Sequence, residues 1–153
     1  MLSESVILDK AGKAIVEQLQ LDGRMPYTKI AKAVGLSEAA VRQRVQQMVD
    51  DGIMQIVAVT DPLRLGFRRM ALIGLKVDGD LRTVADQLSE VPEIDYLVLT
   101  AGRFDLLCEI VCEDDDALLN LVNDRIRAVH GVRETESFIY LKLCKQTYTW
   151  GTR

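Results

Sequence analysis

Residues 27–48 constrain this chain more than any other stretch, because they have the pattern of two short helices joined by a tight turn. Gly35 stands where a helix would end in a left-handed residue, a conformation that glycine adopts without strain. Ser37 follows at a position where its side-chain oxygen can cap the next helix. The apolar residues of that second helix recur at i, i+4 and i+7, at Val41, Val45 and Met48. The stretch therefore predicts a helix-turn-helix.

The face of the second helix that this apolar stripe leaves outside is polar and partly basic. Arginine and glutamine side chains can bond to phosphates and to the edges of guanine and adenine, so we expect residues 37–48 to lie in the major groove of DNA. The candidate DNA-contacting residues are Arg24, Lys29, Lys32, Ser37, Ala39, Arg42, Gln43 and Arg44. Two alternatives stay open: an ordinary helical hairpin, and pairing of Arg42 or Arg44 with Glu38 or Asp50.

The charge of the chain differs between its two parts. Residues 1–60 carry seven Lys or Arg and seven Asp or Glu, whereas the remainder carries 12 and 16, which accounts for the net charge of −4. The N-terminal part is thus neutral overall, but its cations cluster in the two motif helices. Phosphate attraction depends on the cations presented locally, so the acidic total does not exclude DNA binding.

The composition predicts a soluble, cytoplasmic protein without a metal or cofactor. The chain is 48% hydrophobic, and it contains neither an apolar run long enough for a membrane span nor the order of a signal peptide. Its three cysteines and one histidine, His130, are not clustered as zinc ligands are. We find no Ser/His/Asp, Cys/His or paired-carboxylate arrangement, so we do not expect an enzyme.

Turn signals divide the chain into two domains. A helical stripe over residues 6–21 can cover the motif, and the β-branched run 53–60 reads as a strand that leaves it. Asp61-Pro62 then breaks the pattern. We therefore predict a DNA-binding domain over 1–60, a linker over 61–68 and a second domain over 69–153.

The second domain alternates strand and helix signals. The order is β-α-β-β-α-β, with strands near 70–78, 93–101, 104–113 and 132–145. This order predicts an α+β fold of the ferredoxin-like type, in which the helices cover one face of the sheet. The other face would carry residues such as Leu72, Leu107, Phe138 and Tyr140, with Tyr96 or Leu97. An open apolar face favours a second copy of the chain as partner.

At this point the chain resembles the Lrp/AsnC, or feast/famine, family of transcriptional regulators. Each shared mark is short, but the marks follow the family's order and spacing along nearly the whole chain. In the first part they are Asp22-Gly23-Arg24, Val34-Gly35-Leu36-Ser37, Arg44-Val45, Asp61-Pro62 and Leu65-Gly66. In the second part they are Gly102-Arg103-Phe104-Asp105, Gly131-Val132 and Thr135-Glu136-Ser137.

The resemblance implies a winged-type helix-turn-helix followed by an effector-binding (RAM) domain. It also implies homodimers that assemble into tetramers or octamers, and an amino acid or related small metabolite bound near the turn after the second strand of that domain. The positions that correspond to effector contacts are Leu97, Thr100, Gly102, Arg103, Asp105, Thr135 and Ser137. Arg103 stands where the family commonly has an acidic residue, so an acidic effector and an ion pair at an assembly interface are both open for it.

Two rival functions accompany this resemblance. One is an architectural protein that wraps double-stranded DNA with weak sequence preference. The other is a subunit similar to the sirohaem decarboxylases, which share the two-domain plan. Those enzymes should carry histidines and aromatic residues around the turn after the second strand, whereas here the turn is Ala101-Gly102-Arg103-Phe104. Sequence-specific transcriptional regulation is the predicted function.

Overall fold

The structure, a computed structural model, describes residues 8–152 of the chain. It forms two compact units, one built on residues 60–144 and the other on the preceding residues together with the C-terminal segment from Lys145. The sequence prediction had assigned that segment to the second domain. The exact domain ends stay predictions.

The described residues of the N-terminal unit form three helices, and each begins or ends where the sequence pattern indicated. They are α1 Lys10–Leu21, α2 Tyr27–Val34 and α3 Glu38–Asp50. The Asp9 carboxylate caps α1 by accepting a hydrogen bond from the amide of Gly12 at 2.7 Å. Gly35 ends α2 with φ 71°, and Ser37 caps α3 by accepting from the amide of Ala40 at 3.2 Å. The predicted helices are confirmed, except that α1 begins at Lys10 and not at residue 6: residues 8 and 9 are not helical, and residues 6 and 7 lie outside the described part.

The core of this unit fastens α3 to the other two helices. Val41, Val45 and Met48 are buried, as their helical spacing predicted. They pack with Ile15 of α1 and Ile30 of α2, which are fully buried. A small apolar core of this kind holds a short helix rigidly enough to present its opposite side to a partner.

The strand predicted over residues 53–60 is not formed, and this prediction was wrong. In the described residues the segment has no regular structure from 54 to 61, and the side chains of Ile56, Val57 and Val59 are exposed. A β-branched run forms a strand when a neighbouring strand offers backbone partners, and no strand pairs with this segment within residues 8–152. The wing of a winged helix-turn-helix is therefore absent from residues 8–152 of this structure.

The second unit is a four-stranded antiparallel sheet with helices on one face, which confirms the ferredoxin-like α+β prediction. Its strands are β1 Arg69–Val77, β2 Ile94–Leu99, β3 Leu106–Cys112 and β4 Val132–Ile139, and its first helix is α4 Leu81–Ser89. The strand order is β2-β3-β1-β4, and each neighbouring pair is antiparallel. The β2–β3 turn thus lies at the end of the sheet where β3 begins.

Strict alternation along β1 and β3 separates the two faces of the sheet. Ala71, Ile73 and Leu75 of β1 pair with Ile110, Cys108 and Leu106 of β3, and all six are fully buried under the helices. Burial raises the pKa of the Cys108 thiol to about 12, so this cysteine is an inert core residue.

The remaining helix changes its winding part of the way along. It begins as α5, Asp115–Asn120, capped by the carboxylate of Asp114, and continues as a π-helical turn over Leu121–Ile126. Strand β4 ends at Ile139, earlier than the predicted residue 145. It ends there because its neighbour β1 begins at Arg69, and Ile139 already pairs with Ala71.

Candidate nucleic-acid interface

The side of α3 that points away from its core carries four exposed residues. Ala39, Gln43, Gln46 and Asp50 recur at i, i+4, i+7 and i+11, opposite the buried stripe. We call these four residues the recognition face. It is polar and has no cation at its centre, because Arg42 and Arg44 lie on its two flanks.

Arg42 is held within the N-terminal unit by two neighbours. One of its guanidinium nitrogens lies 2.8 Å from a carboxylate oxygen of Glu38, one helical turn earlier. The guanidinium carbon also lies 5.2 Å from the centre of the Tyr27 ring. The side chain is still 65% exposed, so this exposed pair can exchange for a phosphate at small cost. The pairing with Glu38 is the alternative that the sequence had left open.

Arg44 makes a different contact, which ties α3 to the start of α1. Its guanidinium lies 2.9 Å from both carboxylate oxygens of Asp9, the residue that caps α1. The hydrogen bond from the amide of Gly12, together with Arg44, holds the pKa of the Asp9 carboxyl below its usual range. The sequence pointed to Glu38 or Asp50 as a partner, and Asp9 was not foreseen because it lies 35 residues away.

Two glutamine side chains of α3 also hydrogen-bond to carboxylates at the C-terminal end of this helix. The amide of Gln46 donates to Asp50 at 2.8 Å, and that of Gln47 donates to Asp51 at 2.9 Å. Gln43, by contrast, makes no side-chain hydrogen bond to any residue in the described range 8–152. Its amide is therefore the free donor and acceptor group at the centre of the recognition face.

The three other predicted cationic contacts lie on the surface around the motif. Arg24, Lys29 and Lys32 are exposed. Arg24 follows α1 in a turn in which its amide donates to the Asp22 carboxylate at 2.9 Å, whereas both lysines project from α2. Such residues suit backbone phosphates, which fix the orientation of a protein on DNA without reading its sequence.

The second predicted site lies on the other unit, in the turn between β2 and β3, which we call the effector turn (residues 100–105). Two of the candidate effector-binding residues, Thr100 and Asp105, make hydrogen bonds that fix the conformation of this turn. The hydroxyl of Thr100 donates to the carbonyl of Phe104 at 2.6 Å, and the Asp105 carboxylate accepts from the amide of Val77 at 2.9 Å. Gly102 at the tip is exposed and has open space around its α-carbon. The structure thus gives Thr100 and Asp105 a local hydrogen-bonding task.

Arg103 lies beside the face of the sheet that the helices leave open. Its guanidinium is 2.9 Å from a carboxylate oxygen of Glu136 on β4 and 5.3 Å from the centre of the Phe104 ring. The Phe104 ring in turn covers Gly74 and meets Phe138 edge to face, with ring centres 6.0 Å apart. Glu136, Phe104 and Phe138 were not among the candidates, since strand register rather than sequence spacing brings them together.

The structure does not place the remaining effector candidates on the open face of the sheet. Leu97 pairs with Cys108, and Thr135 and Ser137 pair with Leu75 and Ile73. Directly paired residues point to the same face, so these three candidates point to the helix-covered face. The open face carries Tyr96, Leu72, Leu107 and Phe138, which resolves the open choice between Tyr96 and Leu97 in favour of Tyr96.

A helix-turn-helix joined to an α+β sandwich with one open sheet face defines a two-domain DNA-binding protein. Residues 8–49 match the AsnC-type helix-turn-helix domain, and residues 67–153 match the C-terminal dimeric alpha+beta barrel domain of AsnC-type transcriptional regulators. The chain belongs to the Lrp/AsnC family of transcriptional regulators.

Relatives with the same two domains align along nearly their whole length. The chain is 34% identical over 143 residues to the transcriptional regulator FL11 of Pyrococcus furiosus, covering 92% of this chain and 94% of FL11. It is 30% identical over 141 residues to LrpA of Pyrococcus horikoshii, covering 91% of this chain and 100% of LrpA.

Solved structures support the same assignment. The leucine response regulatory protein LrpA of Mycobacterium tuberculosis superposes with a TM-score of 0.81 at 26% identity, over 91% of this chain and 96% of that one. The regulator NMB0573 of Neisseria meningitidis, solved as a complex with L-Met, gives 0.77 at 28% identity, over 94% and 96%. No helix in the described part of this chain is long and apolar enough to cross a membrane.

Proposed function

We propose that this family member is a sequence-specific regulator that reads the major groove of double-stranded DNA with the recognition face of α3. The observation that carries the proposal is the arrangement of this helix. Its buried stripe fixes it in the core, Gln43 offers a free amide at the centre, and Arg42 and Arg44 stand on the flanks. A glutamine amide can donate to and accept from one adenine edge, whereas exposed arginines and lysines suit phosphates.

We also propose that the α+β domain carries out two tasks, dimerisation and effector binding. The open sheet face supports the first, because Tyr96 and Phe138 remain 57% and 42% exposed on it in the single chain. The effector turn with Arg103 supports the second, and an amino acid or related metabolite is the expected ligand class. Assembly of dimers into tetramers or octamers belongs to this proposal. An effector would act through a difference in its affinity for two assemblies.

Selection of binding sequences from a random duplex pool tests the DNA-reading proposal. We expect the wild-type chain to enrich a two-fold motif, and Gln43→Ala to lose preference at one base pair of each half-site. The matched control is Gln87→Ala, the same change at an exposed position of α4. Enrichment of no motif, with equal affinity for random and selected DNA, would instead indicate an architectural DNA-wrapping protein.

We infer a non-catalytic role, which separates this chain from a decarboxylase-like subunit. The relatives described above are named as regulators, and the effector turn contains no histidine. His130, the one histidine of the chain, is exposed and lies beyond the π-helical turn. Titration with sirohaem, followed by absorbance, should give no spectral change, and saturable binding would contradict this inference.

A further inference from the structure

The recognition face differs in charge between its two ends. Ala39 and Gln43 lie toward the N-terminal end of α3, whereas Asp50 stands at the C-terminal end, and all three are exposed. DNA phosphates repel the carboxylate of Asp50, and they are attracted by the partial positive charge of a helix N-terminus. Glu38, the carboxylate at that end, is paired with Arg42. The N-terminal half is therefore the part of α3 that can approach base pairs most closely.

Two groups of the recognition face are free to meet a base in this half. One is the side-chain amide of Gln43, and the other is the methyl group of Ala39, one helical turn earlier on the same face. The second glutamine of the face is held differently, because Nε2 of Gln46 donates to Asp50 at 2.8 Å. A base that bonded to Gln46 would have to break or share this hydrogen bond.

The two free groups match A·T base pairs. A glutamine amide pairs with N6 and N7 of adenine, and an alanine methyl group packs against the 5-methyl group of thymine. Guanine is most often read by an arginine or lysine, and the recognition face contains neither. Arg42 and Arg44 stand on its flanks, in ion pairs with Glu38 and Asp9.

The distance between the two groups determines which base pairs they can reach together. Four residues of helix advance by about 6 Å, at about 1.5 Å per residue. Successive base pairs of the duplex are stacked about 3.4 Å apart. For a helix that lies along the groove, Ala39 and Gln43 therefore face base pairs one or two steps apart, within a single half-site.

We propose that Ala39 is a specificity-determining residue, which reads the 5-methyl group of a thymine one or two base pairs from the adenine read by Gln43. The inference rests on the proposed DNA-reading function and deepens it, because it names two bases of the half-site. A G·C pair at either position would leave the recognition face without a matching group.

Deoxyuridine in the selected duplex tests the proposal, because it differs from thymidine only by the missing 5-methyl group. Gln43→Ala first locates the base pair that Gln43 reads, and each thymine within two base pairs of it is then replaced in turn. At one of these positions we expect wild-type binding to weaken by about fourfold, which corresponds to one buried methyl group of about 0.8 kcal/mol. Fluorescence anisotropy at fixed salt measures the change.

Ala39→Gly removes the matching methyl group from the protein. The ratio of Kd between the deoxyuridine and thymine duplexes should fall from about four in the wild type to about one in this variant. Because both duplexes are measured with the same variant, a loss of helix stability affects both equally, and circular dichroism establishes that the variant is folded. Ala33→Gly, the same change at an exposed position of α2, should keep the ratio at about four.

Three results would overturn the proposal. They are equal wild-type affinity for thymine and deoxyuridine at every tested position, an unchanged ratio in Ala39→Gly, and a G·C pair at the position that Gln43 reads. Each of these can occur with an enriched motif, and then the DNA-reading proposal stands while the role of Ala39 is rejected. Selection that enriches no motif rejects both.

Discussion

Asp9 has two tasks at once, because its carboxylate caps α1 and pairs with Arg44 of α3. We therefore expect thermal stability to fall in the order wild type, Asp9→Asn, Asp9→Ala. The asparagine keeps a capping oxygen but loses the charge, whereas the alanine loses both. Thermal unfolding followed by circular dichroism gives this order. Equal midpoints for wild type and Asp9→Asn would show that the charge of Asp9 contributes nothing, and equal midpoints for the two variants would show the same for the capping oxygen.

The same residue predicts the direction of a pH effect. The pKa of Asp9 is lowered in the folded chain, first by the Gly12 amide and then by Arg44, so its carboxylate binds fewer protons in the folded than in the unfolded state. Its stabilising contribution is complete above the unfolded pKa of about 3.9 and is lost as the pH falls through the lower folded value. The difference in midpoint between wild type and Asp9→Asn should therefore shrink below about pH 4. A difference that persists at lower pH would contradict this assignment.

Gly74 is the residue that lets Phe104 lie flat on the open face of the sheet. A Cβ at this position would come within 2.7 Å of the ring, so we expect Gly74→Ala to destabilise the fold by about 1–3 kcal/mol through overpacking. Gly102→Ala, at an exposed position with open space around it, is the matched control and should change stability by less than about 0.5 kcal/mol. Urea unfolding measures both.

A double variant tests whether the Phe104 ring causes the loss of stability in Gly74→Ala. If overpacking against Phe104 is responsible, Gly74→Ala should cost much less when Phe104→Ala is already present. Additive losses in Gly74→Ala/Phe104→Ala would place the cause elsewhere.

At the scale of the element, α3 itself contains a carboxylate that we expect to lower its affinity for DNA. Glu38 holds Arg42 at 2.8 Å, so if Arg42 contacts a phosphate, as we propose, the phosphate must replace this carboxylate. We expect Glu38→Gln to strengthen DNA binding by about fivefold, since an exposed ion pair is worth up to about 1 kcal/mol. Fluorescence anisotropy with a labelled duplex measures the change. Glu17→Gln, which removes the same charge from α1, is the control.

The salt dependence of DNA binding shows whether Glu38→Gln acts by freeing Arg42 or only by removing a negative charge from the protein. If Arg42 meets a phosphate, Arg42→Ala should lower the slope of log Kd against log salt by about one. The gain from Glu38→Gln should then disappear in the Arg42→Ala background. A gain that survives without Arg42 would show that Glu38 acts through its charge alone.

The sequence predicted helices better than strand ends, for a physical reason. A helix satisfies its hydrogen bonds within itself, so the spacing of Val41, Val45 and Met48 was enough to place α3. A strand needs a paired neighbour. Residues 53–60 have none in the part of the chain that the structure describes, and β4 loses its neighbour beyond Ile139. Leu97, Thr135 and Ser137 point to the helix-covered face while Arg103 lies beside the open face, because pairing register fixes the face of a strand residue and register is not visible in one sequence.

The candidate DNA site shows the same limit among its polar residues. The positions of Arg42 and Gln43 on the outer side of α3 followed from periodicity. The ion-pair partners of the two arginines did not follow from periodicity. Glu38 pairs with Arg42 and Asp9 pairs with Arg44, and these contacts depend on side-chain geometry and on the packing of α1. The sequence left open whether Arg42 and Arg44 form ion pairs, whereas among residues 8–152 both arginines are paired and the Gln43 side chain makes no hydrogen bond.

At the scale of the whole molecule, the open sheet face predicts the oligomeric state. We expect Phe138→Glu to reduce the assembly to monomers, because it places a charge among apolar residues that a second copy would cover. Leu119→Glu introduces the same charge at an exposed position of α5, on the helical side, and should leave the dimer intact. Sedimentation velocity distinguishes the two. A monomeric wild-type protein would contradict the dimer proposal outright.

The central claim is that a two-fold assembly reads DNA through α3, and a footprint on a selected duplex tests it most directly. We predict two protected half-sites whose centres lie about one helical turn, or about 34 Å, apart. Protection should be lost when the selected sequence is scrambled, and Gln43→Ala should weaken the preference for the selected sequence without abolishing binding at low salt. Uniform protection of selected and scrambled duplexes alike, unchanged in Gln43→Ala, would contradict the account.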